Sequence, residues 1–316
     1  MNGRDDKSVQ IRTVRFHRYG EPTDVLQIED ARLAGPGPNR IRVRVHACGL
    51  NPADWALCRG LFPGSLPRGI GLEVSGTVDA VGEGVSEIAL GDAVFGPVDF
   101  VSTGSAGASD FAILHHWTRT PTGLDPVEAA ALPMAVATAV GGLDCLGAGA
   151  EHTVLINGAG TTVGFAAVQI ALRRGSRVIA TAGKTFAERL RGLGASVTSY
   201  GEGMVERVLE ITGTPPDLVL DTAPVSGALP GLIKIAGDAK RVVTISDFAA
   251  AKELGVRINI LEASPLPYHV LGDFAQLAAA GDFAVPIARR YPLEEWRAAL
   301  EVSESQQAHG KLILLP

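Results

Sequence analysis

The sequence predicts an α/β protein in two parts: a mostly β domain, then a doubly wound parallel sheet. Three observations predict it. From Val14 to about Leu114 apolar residues recur with period two, as half-buried strands require. Near residue 125 the period changes, and continuous apolar runs then alternate with helical stretches. A glycine-rich turn, Asn157-Gly158-Ala159-Gly160-Thr161-Thr162-Val163-Gly164, lies between one such run and a helix.

The polar start MNGRDDKSVQIR has no apolar signal region and reads as a flexible extension over residues 1–12. Ile41-Arg42-Val43-Arg44-Val45-His46-Ala47 alternates apolar and polar strictly, the pattern of a half-buried strand. Residues 74–81 nearly repeat it, and Ala93-Val94-Phe95 and Phe111-Ala112-Ile113-Leu114 are shorter strands between Gly/Pro clusters. Such a set forms a small barrel or sandwich. Asp125-Pro126-Val127-Glu128 starts a helix, with a capping Asp, Pro at the first helical position and an early Glu.

In the second part, strands are expected at 154–156, 177–180, 217–221 and 241–245, with a short one at 197–200. Helices are expected at about 163–174 and 187–193. Ile258-Asn259-Ile260-Leu261 reads as an apolar strand at the sheet edge. A helix over 271–280 and a strand over 312–315 then return to the first part. The predicted domains are therefore 13–125 with 263–316, and 126–262.

Composition narrows the function. With 316 residues, 46% hydrophobic and 20% charged, the chain is globular rather than disordered. A net charge of −6 argues against nucleic acid or an anionic membrane as partner. Residues 153–172 are uncharged and long enough to span a bilayer, but Asn157, Gln169 and three glycines interrupt them, so they read as strand, turn and helix. Cys48, Cys58 and Cys145 are too few and scattered for a disulfide framework, which predicts a reducing, cytoplasmic compartment.

The glycine turn has the chemistry of a phosphate cradle. Gly158 permits a tight turn, Gly160 lets a phosphate approach the backbone, and Gly164 allows close helix–strand packing. The helix that follows offers free N–H groups and a positive dipole end to a pyrophosphate. At the end of the next strand, where NAD-preferring sites usually hold an acid for the ribose, the chain reads Thr181-Ala182-Gly183-Lys184. A cation without a carboxylate suits a 2′-phosphate, and Tyr200 can add a phenol contact, so the expected cofactor is NADPH.

Several motifs in register carry a family resemblance from Thr13 to Pro316. They include Phe16-His17-Arg18-Tyr19-Gly20, Gly49-Leu50-Asn51-Pro52-Ala53-Asp54, Gly71-Leu72-Glu73-Val74-Ser75-Gly76, Leu132-Pro133-Met134-Ala135 and Gly310-Lys311-Leu312-Ile313-Leu314. The chain resembles the medium-chain dehydrogenases/reductases, and within them the zinc-free, zeta-crystallin-like NADPH:quinone oxidoreductases. The resemblance implies a GroES-like β-barrel catalytic domain and a Rossmann domain. It also implies that no metal is held: Asn51 and Leu72 stand where zinc-dependent relatives place Cys and His ligands, and residues 95–110 contain no cysteine for a structural zinc lobe.

The same resemblance sets Asn51 and Thr138 near the nicotinamide and its ribose, and Gly160 and Val163 at the pyrophosphate, beside the Thr161-Thr162 pair. Ala223 and Ser246 line the rest of the cofactor path. Asn51, Asp54 and Tyr19 are the candidate catalytic residues, with Cys58 a further possible proton donor. The implied activity is hydride transfer to a quinone or an α,β-unsaturated carbonyl. Two alternatives stand beside it: a dedicated enoyl or ketone reductase of a polyketide-type pathway, and an NADPH-binding sensor or structural protein without turnover. A homodimer joined through the edge strand at 258–261 is also implied.

Overall fold

The computed structural model describes Ser8–Pro316 and divides into two compact units. Residues 1–7 of the predicted extension lie outside the described residues. Residues 9–12 are not an extension: they open the Val9–Phe16 strand, which pairs antiparallel with Gln27–Leu33. Alternation across this strand buries Ile11, and its polar character misled the sequence reading.

The first unit comprises the chain up to Met134, Leu271–Asp282 and Ile287–Pro316. Its main sheet runs Ile287–Pro292, Lys311–Leu315, Ile41–Leu50, Glu73–Val81, Ala93–Pro97, Thr118–Arg119, and Phe111–Leu114 also pairs with Ile41–Leu50. Phe16, Trp55, Leu57, Val74 and Trp296 are among the buried residues of its core. The Ile41–Leu50 strand departs from strict alternation, because Arg42 is buried. Its guanidinium pairs with Asp79 at 2.6 Å and lies over the Phe111 ring, so paired charge replaces the expected solvent face.

The second unit comprises Ala135–Val270 and Phe283–Pro286. Its sheet is parallel throughout, in the order Ser196–Thr198, Arg177–Thr181, Thr153–Asn157, Leu218–Asp221, Val242–Thr244, Arg257–Ile258. The order reverses beside Thr153–Asn157, and such a switch point opens a crevice at the carboxyl ends of the strands. The predicted edge strand at 258–261 is corrected: only Arg257–Ile258 is strand, and Asn259–Glu262 turns into a helix. Asn259 sets that turn, buried with its side-chain amide donating to the carbonyl of Thr138.

The division between units falls inside the Pro126–Leu146 helix, between Met134 and Ala135, rather than at 125/126. The first turns of this helix are tied to the first unit, since Ser75 donates to the Pro126 carbonyl and Met134 N–H donates to Glu73. This is one helix long and apolar enough to cross a membrane, but 78% of its most apolar window is buried within the protein. Residues 153–172 fold as strand, turn and helix.

Candidate active site

The cradle is built at the end of Thr153–Asn157. Gly158 has φ +76°, and a β-carbon there would lie 2.5 Å from the backbone nitrogen of Ala223. Gly160 meets only the edge of Phe186, at 3.3 Å, which leaves its outer face open. Thr161 caps the Thr162–Arg173 helix, its hydroxyl accepting from Gly164 N at 2.9 Å. Gly158 and residues 160–163 are half-exposed, so the backbone of this helix start is accessible.

A buried hydrogen-bond network holds the turn from below. Gly158 N donates to the Thr181 hydroxyl at 3.0 Å, and that hydroxyl donates to Asn157 Oδ1 at 2.6 Å. Asn157 Nδ2 donates to Asp221 Oδ1 at 2.8 Å, and Thr244 donates to Asp221 Oδ2 at 2.9 Å. Four strand ends are thus joined by side chains. Burial pushes the Asp221 carboxyl up, against the lowering effect of its Asn157 and Thr244 hydrogen bonds.

This geometry revises two expected contacts. Thr181 is fully buried and its hydroxyl serves the turn, so its side chain supports the cradle and does not face a ligand. The Thr161 hydroxyl accepts in the helix cap and turns its own hydrogen to the Thr222 hydroxyl at 3.4 Å. Gly183 and the exposed Lys184 begin the Lys184–Gly192 helix. The hydroxyl of the exposed Tyr200 would lie 3.6 Å from a β-carbon on Gly183, so these three residues converge. Ser246 donates to the Ala223 carbonyl at 2.6 Å, which joins the two expected path residues at adjacent strand ends. Thr138 lies on the Pro126–Leu146 helix and is 9% exposed.

In the first unit the strand order brings together residues far apart in sequence. Ile41–Leu50 runs antiparallel to both Glu73–Val81 and Lys311–Leu315, so its carboxyl end meets the start of each neighbour. Asn51, Glu73 and Lys311 meet there. Lys311 Nζ donates to Asn51 Oδ1 at 2.6 Å and forms an ion pair with Glu73 Oε1. Asn51 Nδ2 donates to that same Glu73 oxygen at 2.9 Å, and Met134 N donates to Oε2 at 2.7 Å. Lys311 and Glu73 are 1% and 0% exposed, whereas Asn51 is half-exposed. Sequence reasoning quoted both charged residues inside motifs and gave them no role. The available signal was a charge at the first position of each of two strands, plainest at Lys311, the lone charge of an apolar run.

The remaining catalytic candidates are corrected by their surroundings. Asp54 has no exposure, and its two oxygens accept from Asn51 N at 2.7 Å and Gly71 N at 2.6 Å. It clamps the start of the Pro52–Cys58 helix and cannot hand a proton to a ligand. Tyr19 holds a loop, its hydroxyl donating to Gly64 O at 2.9 Å and accepting from Gly64 N at 2.7 Å. Burial pushes the Cys58 thiol up to about 12, which removes it as an acid at neutral pH.

Residues 37–122 match the alcohol dehydrogenase GroES-like domain, and residues 193–314 match the zinc-binding dehydrogenase family. A quinone oxidoreductase from Sus scrofa is 31% identical, with 96% of this chain and 97% of that protein aligned. The chain belongs to the quinone oxidoreductase family of medium-chain dehydrogenases/reductases. A quinone oxidoreductase structure from Coxiella burnetii superposes with TM-score 0.81 at 25% identity, over 98% of this chain and all of that one. The two units therefore carry the family's GroES-like and Rossmann-like folds, and the family's oxidoreductases use a nicotinamide cofactor. Phthioceranic/hydroxyphthioceranic acid synthases of Mycobacterium tuberculosis are 33% identical over 97% of this chain. The chain spans 15% of the length of those synthases.

Proposed function

We propose that the protein is a zinc-independent, NADPH-dependent reductase that transfers hydride to a quinone or to a C=C bond conjugated to a carbonyl. One observation carries this reading: the donor set where zinc-dependent relatives hold their metal. Leu72 offers no lone pair, and Asn51 Oδ1 is already engaged by the Lys311 ammonium at 2.6 Å. A divalent cation there would meet like charge instead of thiolate and imidazole, so these residues do not fit zinc. Acceptors already electrophilic without a Lewis acid suit such a site.

The bound cofactor supplies the hydride; the chain supplies its placement. The backbone of Gly160, Thr162 and Val163 would hold the pyrophosphate, with Gly158 making the turn that presents it and Ala223 and Ser246 at the neighbouring strand ends. Lys184, exposed and with no carboxylate at the end of Arg177–Thr181, supports a 2′-phosphate there, beside Gly183 and Tyr200. Asn51 and Thr138 are assigned to the nicotinamide end by the family resemblance.

The test is oxidation of NADPH and NADH in parallel against 1,4-benzoquinone, an alkyl enone, an enal and a saturated ketone, with and without chelator. NADPH turnover on quinone or enone, unchanged by chelator, is the expected result. Lys184→Ala should raise the Kd of NADPH roughly tenfold and leave that of NADH nearly unchanged; equal losses would refute the NADPH assignment. The 33% identity to the mycobacterial synthases favours a second reading, a dedicated enoyl or ketone reductase of a biosynthetic pathway. Tight NADPH binding without turnover on any acceptor would point to it or to the NADPH-binding sensor without turnover.

The reading also places the protein in the cytoplasm, in keeping with its free cysteines Cys48, Cys58 and Cys145. It further includes a homodimer joined at the Arg257–Ile258 sheet edge, next to the exposed Leu261. Light scattering should return twice the chain mass, and the mass of a single chain would remove the dimer.

A further inference from the structure

We propose that Glu73 and Lys311 are positioning residues that lock the Asn51 side-chain amide in one orientation, so that it offers a ligand an N–H donor and selects an acceptor oxygen. The orientation follows from chemistry as well as from coordinates. An asparagine amide can be turned over with little change in shape, and only its partners decide which end is oxygen. An ammonium donates and has no lone pair, so the atom 2.6 Å from Lys311 Nζ must be Oδ1. A carboxylate accepts, so the atom 2.9 Å from Glu73 Oε1 must be Nδ2. Turning the amide over would set N–H against ammonium and oxygen against carboxylate at once.

The lock itself is rigid. Glu73 is held by Lys311 on one oxygen and by Met134 N–H on the other, and Asn51 is pinned through its own N–H on Asp54. Gly49 roofs the carboxylate, since a β-carbon at that position would come within 2.7 Å of Glu73 Oε1. Burial of Glu73 and Lys311 excludes the water that would otherwise compete for both charges.

After these bonds Asn51 keeps one Nδ2 hydrogen, on a side chain that is half-exposed while its two partners are sealed. Its oxygen is already committed to a cation. The group it presents is therefore a donor, complementary to the carbonyl oxygen of a quinone or enone, or to an oxygen of the cofactor. No proton is transferred in this role; the N–H holds the acceptor. The choice of substrate rests on the reductase reading above, whereas the lock does not.

Two measurements separate these claims. In the cofactor-free protein, the Asn51 Nδ2 proton that meets Glu73, assigned in a nitrogen–proton NMR correlation spectrum by loss of the amide pair in Asn51→Asp, should be shifted and slow to exchange. Glu73→Gln keeps the shape but takes the acceptor away from Asn51 Nδ2, since the one Gln oxygen is needed by Met134 N–H, and Lys311→Met removes the ammonium; both should return that proton to an ordinary position. Unchanged resonances in both variants would overturn the lock, whatever the enzyme does. Should Lys311→Met fail to fold, Glu73→Gln alone decides.

The second measurement is kinetic, with 1,4-benzoquinone and NADPH. Asn51→Asp is isosteric but cannot donate, so kcat/KM for the quinone should fall on the order of tenfold. Glu73→Gln should show a similar fall, and Lys311→Arg should restore most of the activity lost in Lys311→Met. Loss confined to quinone kinetics places the acceptor on the substrate, and an equal rise in the Kd of NADPH places it on the cofactor. Variants that melt earlier yet keep wild-type kcat, KM and Kd would show a purely structural pair and refute the positioning role. A wild-type protein inactive on every acceptor would refute the reductase reading and leave the spectroscopic result to judge the lock.

Discussion

Gly158→Ala is expected to destroy NADPH binding and to destabilise the second unit at the same time. At φ +76° an alanine is strained by roughly 1–2 kcal/mol, and its β-carbon would meet the nitrogen and α-carbon of Ala223 at 2.5 and 2.6 Å. Those atoms are backbone at the end of the Leu218–Asp221 strand, so the cradle must open to relieve the contact. We expect a loss of about 3 kcal/mol, a melting temperature lower by about 5–10 °C, and a Kd for NADPH raised about a hundredfold or more. Gly160→Ala is the contrast: its β-carbon meets only the Phe186 edge at 3.3 Å, so stability should hold while phosphate approach is blocked. Calorimetry and fluorescence titration read both effects. A Gly158→Ala protein that binds NADPH within threefold of the native chain would refute the cradle.

The contrast between these glycines shows what the sequence could and could not reveal. Local pattern was enough for the cradle: an apolar strand, a turn needing a left-handed residue at Gly158, and a helix whose N–H groups face outward. It was also enough for the parallel sheet, whose buried strands read as continuous apolar runs at Val154-Leu155-Ile156 and Val242-Val243. Pattern failed where a residue's partner comes from another strand. Arg42 looked solvent-facing because Asp79, 37 positions away, is invisible to periodicity. Asn51, Glu73 and Lys311 span 260 positions and meet only because two antiparallel pairings bring three strand ends together. Asp54 and Tyr19 were read as acids because they are the acid-bearing residues near a recognisable motif. Both spend their polar atoms on backbone groups that sequence does not disclose. The 258–261 segment failed for a related reason, since the buried Asn259 side chain turns an apolar run into a helix.

Asp54 leads to a pH-dependent stability of definite sign. Burial pushes its carboxyl up to about 7, which outweighs the lowering by the N–H groups of Asn51 and Gly71; Glu73 raises it further. In the unfolded chain it titrates near an ordinary aspartate value of about 4. Between those values the folded protein holds more protons than the unfolded one, so this group's contribution is complete below about pH 4. It is lost as pH rises toward 7, and level above that. The span corresponds to roughly 3–5 kcal/mol. Asp54→Asn removes the titration and also places an NH2 against one of the two backbone donors, which lowers stability by an amount that does not vary with pH. The informative quantity is therefore the slope. Subtracting the variant's unfolding free energy from that of the native chain, by urea denaturation from pH 4 to pH 8, should give a difference that falls toward pH 7 and then flattens. The subtraction cancels the carboxylates held low by arginines, such as Asp99 beside Arg40 and Asp110 beside Arg12, whose contributions run the opposite way. A flat difference would mean that the two backbone donors stabilise the ionised Asp54 enough to offset its burial. The clamp at the start of the Pro52–Cys58 helix would then be a permanent anion beside the Asn51 amide, and the buried Lys311 would face two carboxylates rather than one.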